Sequence, residues 1–269
     1  MKSTRLLWGT ISIGALASTL LLFFGLAYAV NDIINPQASD LTSIPEFSKN
    51  RDDLVKDNGQ IDIVALGDSL TKGTGDRTGA GYIGRVKDKL SEATGRDVHV
   101  VNNLAVNGYR TDQMLSDLEK PSVADTLSKA DVIIFTIGGN DLFKYVRNEL
   151  DLTSAEITGE DLMKSIPEPM ERLDQIFKKL NDINPSAVIV YVGLFNPFLD
   201  LDPTRQTSLA IAEWNAKAYT HVNGYENVIM VPTADLFERH LLDYLYSDHF
   251  HPNDAGYERV AERVVQALY

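Results

Sequence analysis

From residue 61 to residue 269 the chain alternates short apolar runs rich in β-branched residues with longer stretches of helical periodicity. The runs are Ile61–Leu66, Val98–Val101, Val132–Ile137, Val188–Leu194 and Val228–Val231. Their length and composition predict strands. Between them Tyr82–Ala93, Pro169–Ile183, Ser208–Val222 and Asn253–Leu268 repeat apolar residues every three to four positions and predict helices. Strands that alternate with helices restrict the chain to an α/β domain with a parallel sheet, because parallel neighbours need a crossover and a helix supplies it. Near-continuous apolar runs further predict strands covered on both faces.

Residues 1–30 have a different character. Lys2 and Arg5 precede an uncharged apolar run from Leu6 to Val30, long enough to cross a bilayer as a hydrophobic helix. Ala27-Tyr28-Ala29 also fits the small-x-small pattern of a signal peptidase site. Membrane anchor and cleaved signal peptide both stand, and in either case the positive residues on the short N-terminal side direct the rest of the chain outward. Residues 31–60 are polar and carry Pro36, Pro45 and Gly59, which predicts a spacer. The domain proper is expected over 61–269.

All 38 acidic residues but only 23 of the 25 basic ones lie beyond Val30, so that part carries a formal charge of −15. No cluster of Lys and Arg is present to neutralise phosphates, which excludes a nucleic-acid partner. The acidity reads as a solvated, self-repelling surface. The chain has no cysteine, which removes a disulfide framework, a lipidated cysteine and a cysteine nucleophile. No obligate protein partner is evident.

Open parallel sheets bind ligands beyond the carboxyl ends of their strands. Gly67-Asp68-Ser69-Leu70 follows the first run, Asn107-Gly108 comes shortly after the second, and Gly138-Gly139-Asn140-Asp141 follows the third. Asp248-His249-Phe250-His251-Pro252 comes after the fifth and an intervening helical stretch. Together they supply what acyl transfer requires: a hydroxyl nucleophile, a base, a group to orient the base, and donors for an oxyanion. Ser69 offers the hydroxyl at a tight turn and His251 can accept its proton. Asp248, three residues earlier, can fix the histidine tautomer. Gly108 presents a backbone N–H without a Cβ, and Asn140 presents a side-chain amide. Singly, each block also fits an ordinary turn or helix cap. All four in order at separate strand exits point to catalysis.

The four blocks resemble those of the SGNH hydrolases, also called GDSL lipases and esterases, and they span Gly67 to Pro252. The resemblance implies a flavodoxin-like three-layer α/β/α sandwich with a parallel five-stranded sheet. It implies Ser69 as nucleophile, His251 and Asp248 as its triad partners, and an oxyanion hole of Ser69, Gly108 and Asn140. Neither a metal nor an organic cofactor is implied. Phe250 departs from the smaller aliphatic residue more usual there, which bears on pocket shape. The substrate expected is a small-molecule, lipid or glycan ester, with a wall-carbohydrate deacetylase as one alternative and a non-catalytic envelope binding module as another. Phe143, Tyr145, Leu194, Phe195 and Phe198 are candidates for an acyl groove, and Asn196-Pro197-Phe198 for its border.

Two decoys can be set aside. Gly79-Ala80-Gly81-Tyr82-Ile83-Gly84 has the spacing of a dinucleotide site, yet it starts 13 residues past Leu66 where a Rossmann turn would begin at the strand end. A helix entry is the expected reading. His249 and His251 lack the further His or Cys ligands that a metal site needs.

Overall fold

The structure is a computed structural model that describes residues 2–34, 59–143 and 159–269. The chain divides into two units, Met1–Lys49 and Asn50–Tyr269. The first contains the helix Lys2–Ile34, on which Trp8, Leu21 and Phe23 are exposed. Side chains of this helix are described only at 8–9 and 12–27. Among the described residues no helix is long and apolar enough to cross a membrane, so the expected membrane segment rests on the sequence alone. Most of the expected spacer lies outside the described residues.

The second unit holds strands β1 (Gln60–Gly67), β2 (Asp97–Asn103), β3 (Val132–Thr136), β4 (Val188–Val192) and β5 (Val228–Val231). Every pairing is parallel, in the order β2-β1-β3-β4-β5. Side chains alternate across the sheet with the period of two that a pleat imposes. In β3, Val132 and Ile134 pack with Tyr82, Val86 and Leu90 of the helix Gly81–Thr94 and with Tyr257, Val260 and Val264 of the helix Asp254–Leu268. Ile133 and Phe135 face the other way, onto Met114 and onto the helices Pro167–Ile183 and Gln206–Val222. The result is the three-layer α/β/α sandwich expected, with all five strands and four long helices where the periodicity put them.

Full burial of the strands holds for β3 and β4 and fails for β2, where Val101 is 52% exposed. The reason is topological: among the described residues β2 is an edge strand paired only to β1. The same order creates the crevice. The chain leaves β1 for β2 on one side and returns to β3 on the other, so the crossovers diverge above β1. Ser69, Gly108 and Asn140 follow those three strands.

The glycine-rich decoy is a helix entry. Gly81 begins the helix Gly81–Thr94, and its N–H bonds to the Asp76 carboxylate. That carboxylate has no solvent-exposed surface and also accepts from the Thr78 N–H and hydroxyl and from Arg85. Burial works to raise the Asp76 carboxyl, but the Arg85 guanidinium and these donors outweigh it and hold it far below the usual carboxylate range. Asp76→Ala should cost about 2 kcal/mol at neutral pH, because it removes the acceptor of the Thr78 and Gly81 N–H groups and one of the two carboxylates on Arg85, the other being Glu258 at 3.2 Å. A depressed folded value stabilises the fold above the unfolded carboxylate pKa of about 4 and is lost as the pH falls through the folded value. The gap between wild type and variant in urea melts should therefore begin to close below about pH 4 and go on closing with further acid, and a gap unchanged by acid would contradict the assignment.

Candidate active site

Ser69 sits at the first position of a four-residue helical turn, Ser69–Lys72, directly off β1. The turn is possible because Gly67 has φ +123, and any Cβ there would strike the Thr136 carbonyl oxygen. Asp68 caps the turn by accepting the Leu70 N–H at 3.0 Å. Its second donor is the Thr136 hydroxyl, at 2.6 Å. Since Thr136 spends its one hydrogen on Asp68, the 2.7 Å bond between the Thr136 and Thr71 hydroxyls must be donated by Thr71. Thr71 in turn accepts from Tyr82 at 2.7 Å. Burial pushes the Asp68 carboxyl above its ordinary value, against the Thr136 and Leu70 bonds. This one-way chain of donors lies under the serine turn and ties β1, β3 and the helix Gly81–Thr94 together.

His251 reaches Ser69 across 182 residues of sequence, with Nε2 2.8 Å from Oγ. Its Nδ1 lies 2.6 Å from Asp248 Oδ2. Asp248 Oδ1 accepts the backbone N–H groups of Phe250 and His251 at 3.1 and 3.0 Å, so one carboxylate shapes the loop and orients the ring. Burial acts to raise the Asp248 carboxyl, but the His251 bond and the two amides prevail and lower it. It therefore stays ionised at neutral pH, selects the tautomer with hydrogen on Nδ1, and leaves Nε2 free to take a proton from Ser69. His249 adopts φ +58 and places Nε2 3.1 Å from both oxygens of Asp200, which pins the same loop to the segment after β4.

Gly108 is at an exposed loop tip with φ +79, a conformation that favours glycine although a Cβ would meet nothing. Asn140 is buried, and its Nδ2 donates to the carbonyl of Tyr109, next to Gly108, at 2.9 Å. Asp141 accepts the Thr111 N–H at 2.9 Å and the Thr111 hydroxyl at 2.7 Å. Gly138 has φ +109, and a Cβ there would enter the indole ring of Trp214. That indole donates to the Tyr191 hydroxyl at 2.8 Å, which donates to the Ile137 carbonyl at 3.1 Å.

The structure thus brings Ser69, His251 and Asp248 into one hydrogen-bonded chain and joins the Gly108 loop to the Asn140 loop. Among the groove candidates, Phe143 and Phe198 are buried with rings 5.0 Å apart. Both approach Phe250, whose ring lies edge-on to His251 at 5.0 Å. Phe195 does not belong with them: it stacks on Phe237 at 3.9 Å in the opposite core layer. Tyr145 lies outside the described residues. Sequence reasoning gave no role to Thr71, which closes the serine block Gly67-Asp68-Ser69-Leu70-Thr71, and missed Thr136, Thr111 and Arg172; of these three only Thr136, a polar residue within an apolar run, left a signal. Adjacent glycines offer a matched test. Gly138→Ala should lose at least about 2 kcal/mol in urea denaturation through left-handed strain and the indole clash. Gly139→Ala, with 3.9 Å to Leu194, should change stability by no more than about 1 kcal/mol; equal losses would refute the turn geometry.

The family model described as the GDSL-like Lipase/Acylhydrolase family matches residues 65–259. The chain is 33% identical over 216 residues to the uncharacterized protein YpmR of Bacillus subtilis (strain 168), covering 79% of this chain and 83% of that one. It is 27% identical over 218 residues to the spore germination lipase LipC of Bacillus licheniformis, covering 78% and 97%. The solved structure of the lipase Lip_vut3 from a goat rumen metagenome superposes with a TM-score of 0.66 at 25% identity, covering 77% and 97%. The matched residues contain all four blocks at the strand exits, and on that ground the chain belongs to the GDSL-like lipase/acylhydrolase family of carboxylic ester hydrolases.

Proposed function

We propose that this chain is a membrane-tethered, extracytoplasmic serine hydrolase that cleaves lipid esters through an acyl-enzyme on Ser69. The observation that carries the chemistry is the continuous relay from Ser69 Oγ through His251 to Asp248. As Oγ attacks the ester carbonyl, Nε2 of His251 takes its proton, and the ionised Asp248 stabilises the imidazolium that forms. The developing oxyanion is received by the N–H of Ser69, the N–H of Gly108 and the amide of Asn140. Collapse of the intermediate returns the proton to the leaving alcohol and leaves the acyl group on Ser69. Water, deprotonated by His251, then attacks the acyl-enzyme and restores the serine.

The lipid reading is supported by Phe250, whose partly exposed ring lies edge-on to His251 and is backed by the buried rings of Phe143 and Phe198, an apolar wall beside the site that suits an acyl chain. It is also supported by the relatives LipC and Lip_vut3, both named as lipases. Outward placement rests on Lys2 and Arg5 ahead of the uncharged run Leu6 to Val30. Protease added to intact cells should digest the domain, and protection would refute that placement.

Full-length protein in detergent should hydrolyse p-nitrophenyl esters with an optimum at medium or long acyl chains. Ser69→Ala should lower kcat by roughly 10⁵–10⁶, and Asn140→Ala by roughly 10²–10³. An acetyl optimum would move the substrate to an acetylated carbohydrate, and activity that survives Ser69→Ala would reject the mechanism.

A further inference from the structure

The reading of the oxyanion hole raises a geometric problem that the sheet does not solve. Gly108 follows β2 and Asn140 follows β3, yet β1 lies between these strands. Their exits are thus two strand spacings apart, about 10 Å, and no ladder bond fixes one against the other. Oxyanion donors must converge on one point before the reaction begins, because their catalytic value depends on costing no reorganisation.

A buried polar cluster closes that gap. Asn140 Nδ2 holds the Tyr109 carbonyl at 2.9 Å, and the next residue, Asp141, grips Thr111 twice, at 2.9 and 2.7 Å. Consecutive residues of one loop therefore hold Tyr109 and Thr111 of the other, immediately after Gly108. Arg172, from the helix Pro167–Ile183, donates Nε to the Thr111 hydroxyl at 2.9 Å. Its Nη2 stands 3.8 Å from Asp141 Oδ1, and its Nη1 is held by Glu168 at 2.6 Å. The Asp141 side chain is only 1% exposed. A carboxylate so buried is costly unless paired and hydrogen-bonded, and among the described residues its partners belong to the junction between the two donor loops or to the helix behind it.

We propose that Asp141, Thr111 and Arg172 form a positioning clamp that brings the Gly108 and Asn140 donors to a common point above Ser69. The proposal rests on the oxyanion-hole reading. None of the three touches substrate: they act through the loops they hold. The charges set against the clamp fit this role. Burial raises the Asp141 carboxyl, while the Thr111 bonds and the Arg172 charge lower it, and Asp112 raises it. Arg172 thus offsets part of the cost of keeping the carboxylate there.

The test uses the full-length enzyme, a p-nitrophenyl ester, and amide hydrogen exchange over residues 108–111. Thr111→Val keeps the shape of the side chain and removes the hydroxyl that both Asp141 and Arg172 use. It should lower kcat by roughly 10- to 100-fold with KM within about twofold, and speed exchange across 108–111. Thr111→Ser, which keeps the hydroxyl, should restore both. Arg172→Met, at a half-buried position, should lower kcat in the same way and stands as the deciding variant if Thr111→Val melts early. A folded Thr111→Val or Arg172→Met with kcat within twofold of wild type overturns the clamp, as does a rise in KM alone. Ser69→Ala assayed alongside separates the two failures: activity that survives it removes the reading of the site itself, whereas activity lost there but intact in the clamp variants removes only the clamp.

Discussion

The bond between Ser69 Oγ and His251 Nε2 joins residues 182 positions apart, and most of the irregular structure around it serves to hold its two ends. The histidine end lies in a loop staked at several points. Tyr246 N–H bonds to the His251 carbonyl at 2.8 Å, and Leu245 bridges Pro252. Asn253 then caps the last helix through the N–H groups of Ala255 and Gly256, while its amide holds the carbonyls of Asp243 and Leu245. The serine end is brought toward this loop by packing between the helices Gly81–Thr94 and Asp254–Leu268. Tyr257 bonds to the Thr74 carbonyl at 2.7 Å, and Gly75 is glycine because a Cβ would meet the Pro252 carbonyl. A displacement of about 1 Å at either end can cost catalysis two orders of magnitude.

Around that bond the domain gathers buried polar groups into connected clusters. Asp68, Thr71, Thr136, Thr111, Asp141 and Asn140 are all buried, and each is hydrogen-bonded, which is the condition for keeping such groups out of water. They form two clusters with distinct tasks. One lies beneath the serine turn and runs from Tyr82 to Asp68; the other spans the loops after β2 and β3. The apolar layers supply stability on both faces of the sheet, and the polar clusters at its carboxyl edge supply orientation.

The sheet and its long helices were legible because each is written in a local period: runs of four to seven apolar residues for strands, and a three-to-four repeat for helices. The residues of the relay were legible for a different reason, since Asp248 and His251 lie three apart and Ser69 stands at a strand end. What the sequence could not show is which residues meet across the fold. Thr71 and Thr136 are 65 residues apart, and Thr111 and Arg172 are 61 apart; their contact exists only once the strand order is known. Phe195 is a groove candidate by its place just after a strand, but which layer a residue there meets depends on the topology, and it packs on Phe237 in the other layer. Edge exposure of β2 is likewise a property of strand order and not of composition.

The central claim is that one serine, activated by one histidine, forms the acyl-enzyme. It is tested most directly by treating the full-length protein with a fluorophosphonate and mapping the adduct by peptide mass spectrometry. The account predicts a single modification on Ser69 that slows by several orders of magnitude in His251→Ala. An unmodified Ser69, an adduct on another serine, or labelling that persists undiminished without His251 would contradict it.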